Sequence, residues 1–414
     1  MAEYSNRLAR AREAMERQGI DLLYLSPGAN AQYLSGWRRG RPHFGNVNYP
    51  GGWIQGLFVG LHHPPVLAVP RMVAEFDLDP ATSTTLEVRV LPDRGDPHTF
   101  LDSMLSEFEP RVGAIGVENR AWSEQVLGLR QVRPDVELRL ASEVIAPLRM
   151  VKEVEELRAM ETCAAIVDQA MNDIIGFLQP DSGQTELDVA YEIDRLMVKH
   201  GADGSSFVTN VWQMGPDEER ALAMKASRRP LTRGNSLSFD FGSTLDGYCY
   251  DFGRSVYLGE PPDEYRRVHA LVMQAAQVGI EALQNGQRTA EDVDALARQV
   301  ITDGGHGEWF RHRLGHGIGL DVHEPPYLDR GDRRRLVRGM CFTVEPSVFI
   351  PGRLGARTED VVVVGGDEGA FAYAVPSRPP GGRVGGGGRA GSGVRRRAAG
   401  QQDASRIRAA RPGH

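Results

Sequence analysis

A pattern that occurs twice constrains this chain more than any other feature. Thr185-Glu-Leu-Asp188 opens a helix that ends near Gly201, and Thr289-Ala-Glu-Asp292 opens another, 104 residues later, that ends near Gly304. In each, a Thr hydroxyl can cap the backbone N–H three residues on while the Asp reaches back to the Thr N–H. Each follows a longer amphipathic stretch, 151–178 and 262–285, whose apolar residues recur at helical spacing. Two β-hairpins extend the pattern, with acidic residues offset by 105 and 108. A duplication of this size predicts two halves packed about a pseudo-twofold axis, with the hairpins meeting at the centre.

The first hairpin runs from Ser236 to Phe241, turns at Leu245-Asp246-Gly247 and returns from Tyr248 through Asp251. Strand alternation puts Leu237, Phe239 and Phe241 on one face and Asp240 on the other. A turn centred between residues 245 and 246 sets Asp240 directly across from Asp251. The second hairpin pairs Cys341–Pro346 with Gly355–Val364 through a Pro351-Gly352 turn, and a centre at residue 352 sets Glu345 across from Glu359. Opposed carboxylates repel. One such pair alone reads as a solvent-facing accident. Two pairs, in matching places of a repeat, read as a cation site.

His312, His316 and His323 fall within twelve residues, with Gly315 and Gly317 flanking His316. Glycines there would let the backbone approach a ligand closely. Asp240, Asp251, His316, Glu345 and Glu359 then form a plausible set for two divalent metal ions per chain. Oxygen-rich ligation with one imidazole suits Mn foremost, with Co, Fe or Zn as alternatives. Two such ions can hold a bridging hydroxide for hydrolysis.

Composition sets limits on the rest. At 414 residues the chain is long enough for two domains. No run approaches the roughly 20 apolar residues that cross a bilayer, and no secretion signal is read at Met1–Ser5, so no membrane partner is expected. Cys163, Cys249 and Cys341 are odd in number and widely spaced, which fits a reducing cytoplasm. Eight Arg and one Asp in residues 381–414 leave the other 380 residues at −14, against nucleic acid as the main partner. We read residues 1–147 as an α/β domain, with a helix over Tyr4–Gln18 and strands at Leu22–Leu25, Leu57–Leu61, Val66–Val69 and Val112–Val117. An Ile145–Arg149 connector leads into a second domain at 148–376. The Gly/Arg-rich tail at 377–414 is expected to be disordered. The Arg38–Pro50 loop is read as a surface loop able to line a pocket.

In order and spacing, Asp240-Phe-Gly, Gly247-Tyr248, Asp251, Gly315-His316-Gly-Ile-Gly, His323-Glu324, Val344-Glu345-Pro346 and Arg357-Thr-Glu359-Asp360 resemble the pita-bread metallopeptidases: prolidase, aminopeptidase P and their relatives. The resemblance implies a creatinase-type amino-terminal domain that caps an α+β pita-bread domain, often across a homodimer. It implies that Asp240 chelates one metal, that Asp251 and Glu359 bridge, and that His316 and Glu345 complete the other. Glu345 would also handle protons. His323 would contact the scissile carbonyl, His312 would assist the leaving group, and Arg357 would hold a ligand carboxylate. The implied activity is cleavage of a short peptide or similar amide as an Xaa-Pro dipeptidase or aminopeptidase.

There is one departure: the family peptidases' further His, before the first hairpin, falls here at Ala223, and no His occurs between His200 and His269. That keeps a non-peptide metabolite open as the substrate of a hydrolase or lyase of the same fold. A silent binding module is the third reading, which loss of ligands would favour; none is lost.

Overall fold

The computed structural model describes residues 2–38, 51–79, 82, 86–108, 112–216, 224–284 and 288–365. The 377–414 tail, residues 39–50 of the pocket loop and Ala223 lie outside the described residues. No helix among the described residues is long and apolar enough to cross a membrane.

The amino-terminal part is an α/β unit. Its six-stranded sheet runs Glu87–Leu91, Val66–Pro70, Gly56–Gly60, Leu22–Leu25, Ala114–Val117, Glu137–Leu140. Leu22–Leu25 pairs parallel with Ala114–Val117 and antiparallel with Gly56–Gly60. All four of its residues are buried, so it is a central strand with both faces covered. Alternation divides it. Leu23 and Leu25 pack with Met15, Leu34 and Ile145, while Leu22 and Tyr24 pack with Leu101, Leu105 and Leu129. The expected connector at Ile145–Arg149 is instead helical, within Ser142–Met150 and including Pro147. Burial of Val144 and Ile145 overrides the local cost of the proline.

The second part is α+β. Leu237, Phe239 and Phe241 are buried against Cys163, Val167, Ala170 and Ile174 of the helix Val154–Phe177. Each contributes roughly 1.5–3 kcal/mol on burial, and a slip of one residue would turn all three away from that helix. This fixes the face that Asp240 takes. In the same way Phe342, Val344, Val348 and Ile350 pack with Val268, Val272 and Ala276 of the helix Asp263–Gln284. Both capping boxes form: Thr185 N donates to Asp188 Oδ2 at 2.8 Å, and Thr289 N to Asp292 Oδ2 at 2.9 Å. The backbone beside each cap is tied alike, Glu186 N to Arg229 O and Ala290 N to Arg334 O.

The first hairpin is not in the expected register. Phe241 pairs with Phe252 and Asp240 with Gly253, two residues from the expected alignment. The turn centres on Asp246 and Gly247, with φ of 53° and 82°. A two-residue hairpin turn of this kind needs positive φ at both central positions, which Asp-Gly accepts. Asp251 is therefore diagonal to Asp240 on the same face, not opposite it. The second hairpin keeps the expected register on both sides of its carboxylates: Ser347 pairs with Arg357 and Val344 with Asp360. At Glu345 and Glu359 the ladder breaks, and Glu359 bridges to Gly253 of the first hairpin.

The two units are joined by polar contacts. Gln32 Nε2 donates to Asp246 O at 2.7 Å. Arg149 holds Asn30 Oδ1, Asp321 and the buried Glu324, and Lys152 Nζ reaches Glu324 Oε2 at 3.0 Å. Burial alone would raise the Glu324 carboxyl, but Arg149 and Lys152 reverse this and bring it to about 2. A depressed carboxyl stabilises above its unfolded value and loses that contribution as pH falls through its folded one. Glu324→Gln should therefore cost about 3 kcal/mol at pH 7, with the gap to the unsubstituted chain closing between pH ~4.5 and ~2. Urea unfolding across that range measures it, and a gap independent of pH would refute the assignment.

Candidate active site

The hairpins meet around one guanidinium. Arg357 Nη2 lies 2.8 Å from Glu345 Oε2 and 2.6 Å from Glu359 Oε2, and Nη1 lies 3.1 Å from Asp240 Oδ2. Asp251, Glu345, Glu359, His316 and Arg357 are buried, and Asp240 is partly so. Four carboxylates and one guanidinium leave a formal charge of −3, most of it buried.

The histidine sharpens the conflict. His316 Nδ1 is 3.0 Å from Gly317 O, which can only accept, so Nδ1 carries the proton. Nε2 then presents a lone pair. It faces Glu345 Oε1 at 3.4 Å and Asp251 Oδ2 at 3.7 Å. Burial, then the neighbouring His323, holds the imidazole well below its ordinary pKa, so it does not supply a second proton. Asp251 Oδ1 and Glu359 Oε1 are buried without a hydrogen-bond partner. Acceptors aimed at one another with no donor between them are costly, and a cation resolves the cost.

The five expected ligands do come together. Asp240, Asp251 and Glu359 each offer an oxygen within 4.8 Å of the others, and His316, Glu345 and Glu359 do the same. Glu359 belongs to both groups. A third group joins Asp251, His316 and the exposed His323. The rings of His316 and His323 lie 3.9 Å apart. This donor set fits divalent ions.

Protonation follows the same physics. Burial raises Asp251, reinforced by Asp240 and Glu345. Burial also raises Glu359 despite Arg357, and pushes Glu345 up to about 6 with Arg357 opposing. His312 is pushed down to about 4 by burial and then by Arg357. Its Nδ1 lies 2.7 Å from Arg313 O and its Nε2 2.6 Å from Ser347 Oγ. It is a neutral ring whose Nε2 accepts from the serine.

Three residues escaped the sequence reading. Thr343 Oγ1 accepts from His316 N at 3.0 Å and donates to Glu345 Oε1 at 3.2 Å, fixing two expected ligands at once. Ser347 holds His312, and Arg313 holds His323. Thr343 and Ser347 stand two residues either side of Glu345, so strand alternation was the available signal. The glycines around His316 were read as room for a ligand. They make room for backbone instead: a Cβ at Gly315 would overlap Thr343 O, and one at Gly317 would sit 2.6 Å from Glu324 O.

Residues 158–365 match metallopeptidase family M24, and residues 7–151 match the creatinase/prolidase N-terminal domain. The chain belongs to metallopeptidase family M24. It is 33% identical over 364 residues to a protein named probable dipeptidase PepE from Mycobacterium tuberculosis, covering 87% of this chain and 92% of that one. It is 30% identical over 362 residues to an Xaa-Pro dipeptidase of Lactobacillus delbrueckii subsp. lactis, covering 84% and 92%. The solved dipeptidase PepE of Mycobacterium ulcerans superposes with a TM-score of 0.75 at 33% identity, over 88% of this chain and 93% of that chain. The M24 chain thus has the expected architecture, a creatinase-type unit followed by a pita-bread unit, and is a peptidase.

Proposed function

We propose that this M24 chain is a two-metal exopeptidase that cleaves the Xaa-Pro bond of a dipeptide. The observation that carries the reading is the facing of His316 Nε2 with Asp251 and Glu345, beside unpartnered oxygens of Asp251 and Glu359. Asp240, Asp251 and Glu359 would hold one ion, and His316 and Glu345 the other, with Asp251 and Glu359 shared. Two divalent ions held there, Mn foremost, supply Lewis acidity and activate water at neutral pH. Dipeptidase names among the similar proteins support the substrate class.

The chain's own residues do the rest. Glu345 Oε2 is committed to Arg357, so a proton that Glu345 handles would move at Oε1, which Thr343 Oγ1 orients. His323, exposed beside His316, contacts the scissile carbonyl. His312 assists the leaving nitrogen through the ring that Ser347 orients. Arg357 keeps three carboxylates apart and in place. The reading includes division of the chain near residue 147, a duplicated catalytic half, a homodimer and a cytoplasmic location. The three buried cysteines form no disulfide, which supports the last.

The test is a substrate panel on the metal-loaded protein: Xaa-Pro dipeptides, longer Xaa-Pro peptides and non-peptide amides, scored by amine release. Dipeptide turnover with the longest peptides poorest is expected. Turnover of non-peptide amides alone would replace this reading with a second one, hydrolysis of a small metabolite, which Ala223 in place of a family His favours.

A further inference from the structure

The two carboxylate-bearing hairpins share one β-bridge among the described residues, between Gly253 and Glu359. Glu359 N donates to Gly253 O at 2.8 Å, and Gly253 N returns to Glu359 O at a longer 3.4 Å. On the side of the carboxylates the approach is close: a Cβ at Gly253 would lie 2.7 Å from Glu359 Oε2. Beyond the bridge, hydroxyls take the place of ladder bonds, with Arg357 N donating to Ser255 Oγ and Gly355 N to Ser236 Oγ. Backbone hydrogen bonds contribute modestly in net terms. Two of them are a weak fixture for Glu359, which offers an oxygen to both groups of candidate ligands.

The reverse side carries Arg254. Strand alternation turns its side chain away from the ligands, and it is buried over the Phe252 ring, 4.2 Å from the centroid. Nη1 donates to both carbonyls of the bridge, Gly253 O at 2.8 Å and Glu359 O at 2.6 Å. Nη2 donates to Asp360 Oδ1 at 2.6 Å. One nitrogen thus closes the bridge from behind. The buried Asp360 carboxylate neutralises the guanidinium, so the pair presents no net charge to the ligands and acts on them through geometry.

We propose that Arg254 is a positioning residue for metal binding, which fixes the Glu359 main chain and the spacing of the two ribbons before an ion enters. This rests on the two-metal reading above and deepens it. Ligands held in place beforehand bind more tightly than ligands that must be gathered. Asp240 belongs to one ligand group and Glu359 to two, so loosening Glu359 weakens both ions together.

The experiment titrates chelator-stripped protein with Mn(II) by calorimetry and with Co(II) by visible absorption, which reports ligand geometry. Arg254→Met combined with Asp360→Asn removes both charges, keeps most of the volume and leaves neither partner charged alone, so the fold should survive. Affinity at both binding steps should fall on the order of 10–100-fold, with an altered Co(II) spectrum and a chelated melting temperature close to that of the unsubstituted chain. Arg254→Lys, which keeps the charge but not the fork, should fall between the two. A structural role alone would lower the melting temperature and leave the affinities and spectrum of the folded protein unchanged, which would overturn the assignment. So would weakening of one step alone. If the double variant does not fold, Arg254→Lys decides: weaker binding at both steps supports the assignment, and unchanged binding overturns it. If the unsubstituted chain binds no ion, the two-metal reading itself fails and this assignment falls with it.

Discussion

In an Asp251→Asn chain, metal content is expected to fall from about two ions per chain to less than one, and peptide hydrolysis to fall by at least ~10³-fold. The reasoning starts from the buried Oδ1 that has no partner and the Oδ2 that faces the His316 lone pair. Asparagine fills the same volume but carries no charge. It turns one acceptor into a donor that His316 or Glu359 can use. Freed of ions by a chelator, the variant should therefore be more stable than the unsubstituted chain, by about 1–3 kcal/mol at pH 7. The size of the effect depends on pH. Asp251 is raised in the folded protein by burial and then by Asp240 and Glu345. A raised carboxyl gives its full contribution below the unfolded value and loses it as pH rises through the folded one. The variant's advantage should thus be small near pH 4 and widen towards neutrality. Elemental analysis and chelated thermal melts from pH 4 to 7 read both effects. Retention of both ions, or an advantage that shrinks with pH, would overturn the proposed ligand set.

The second large effect belongs to Arg357→Met. Burial works against this guanidinium, yet Glu359, Asp240, Glu345 and Asp251 hold its pKa well above the ordinary arginine value. Methionine keeps most of the volume and removes the counter-charge that, among the described residues, touches Asp240, Glu345 and Glu359 together. Breaking a buried ion cluster from one side leaves uncompensated charge, so the chelated protein should lose about 3–5 kcal/mol. Added divalent ions should restore part of that, because they neutralise the same oxygens. Urea midpoints with and without metal measure the difference. Equal stability of the two chelated chains would show that the carboxylates are already neutral without Arg357.

Much of this was legible in the chain. The second hairpin's register followed from its Pro351-Gly352 turn, and the apolar face of Leu237, Phe239 and Phe241 fixed where Asp240 points. The first hairpin slipped because the turn was centred one residue early, although Asp-Gly is itself the stronger hairpin signal. The strands Glu87–Leu91 and Glu137–Leu140 escaped because they lie at sheet edges with charged, exposed faces. Asn210–Met214, which pairs with the Asp240 strand, carries mixed polarity and was also missed. Partners such as Thr343 and Arg254 are ordinary residues. Only the folded arrangement shows that one ties two ligands together and that the other clamps the main chain of a third.

The Asp246-Gly247 turn has a consequence for engineering. Its carbonyl is held by Gln32, and Tyr248 and Leu320 pack into the amino-terminal core. The acidic ribbon is thus anchored at its tip by the preceding unit as well as by its own, in which Asp246 N donates to Asp203 Oδ2 at 2.8 Å and Ser243–Thr244 pair with Gly204–Ser205. A transplant of the catalytic unit alone, beginning near residue 151, would uncover Tyr248 and Leu320 and remove the hold of Gln32 on the tip of the ribbon that carries Asp240 and Asp251. Chimeras within this fold should therefore exchange the Asp246-Gly247 tip together with the helix that bears Gln32.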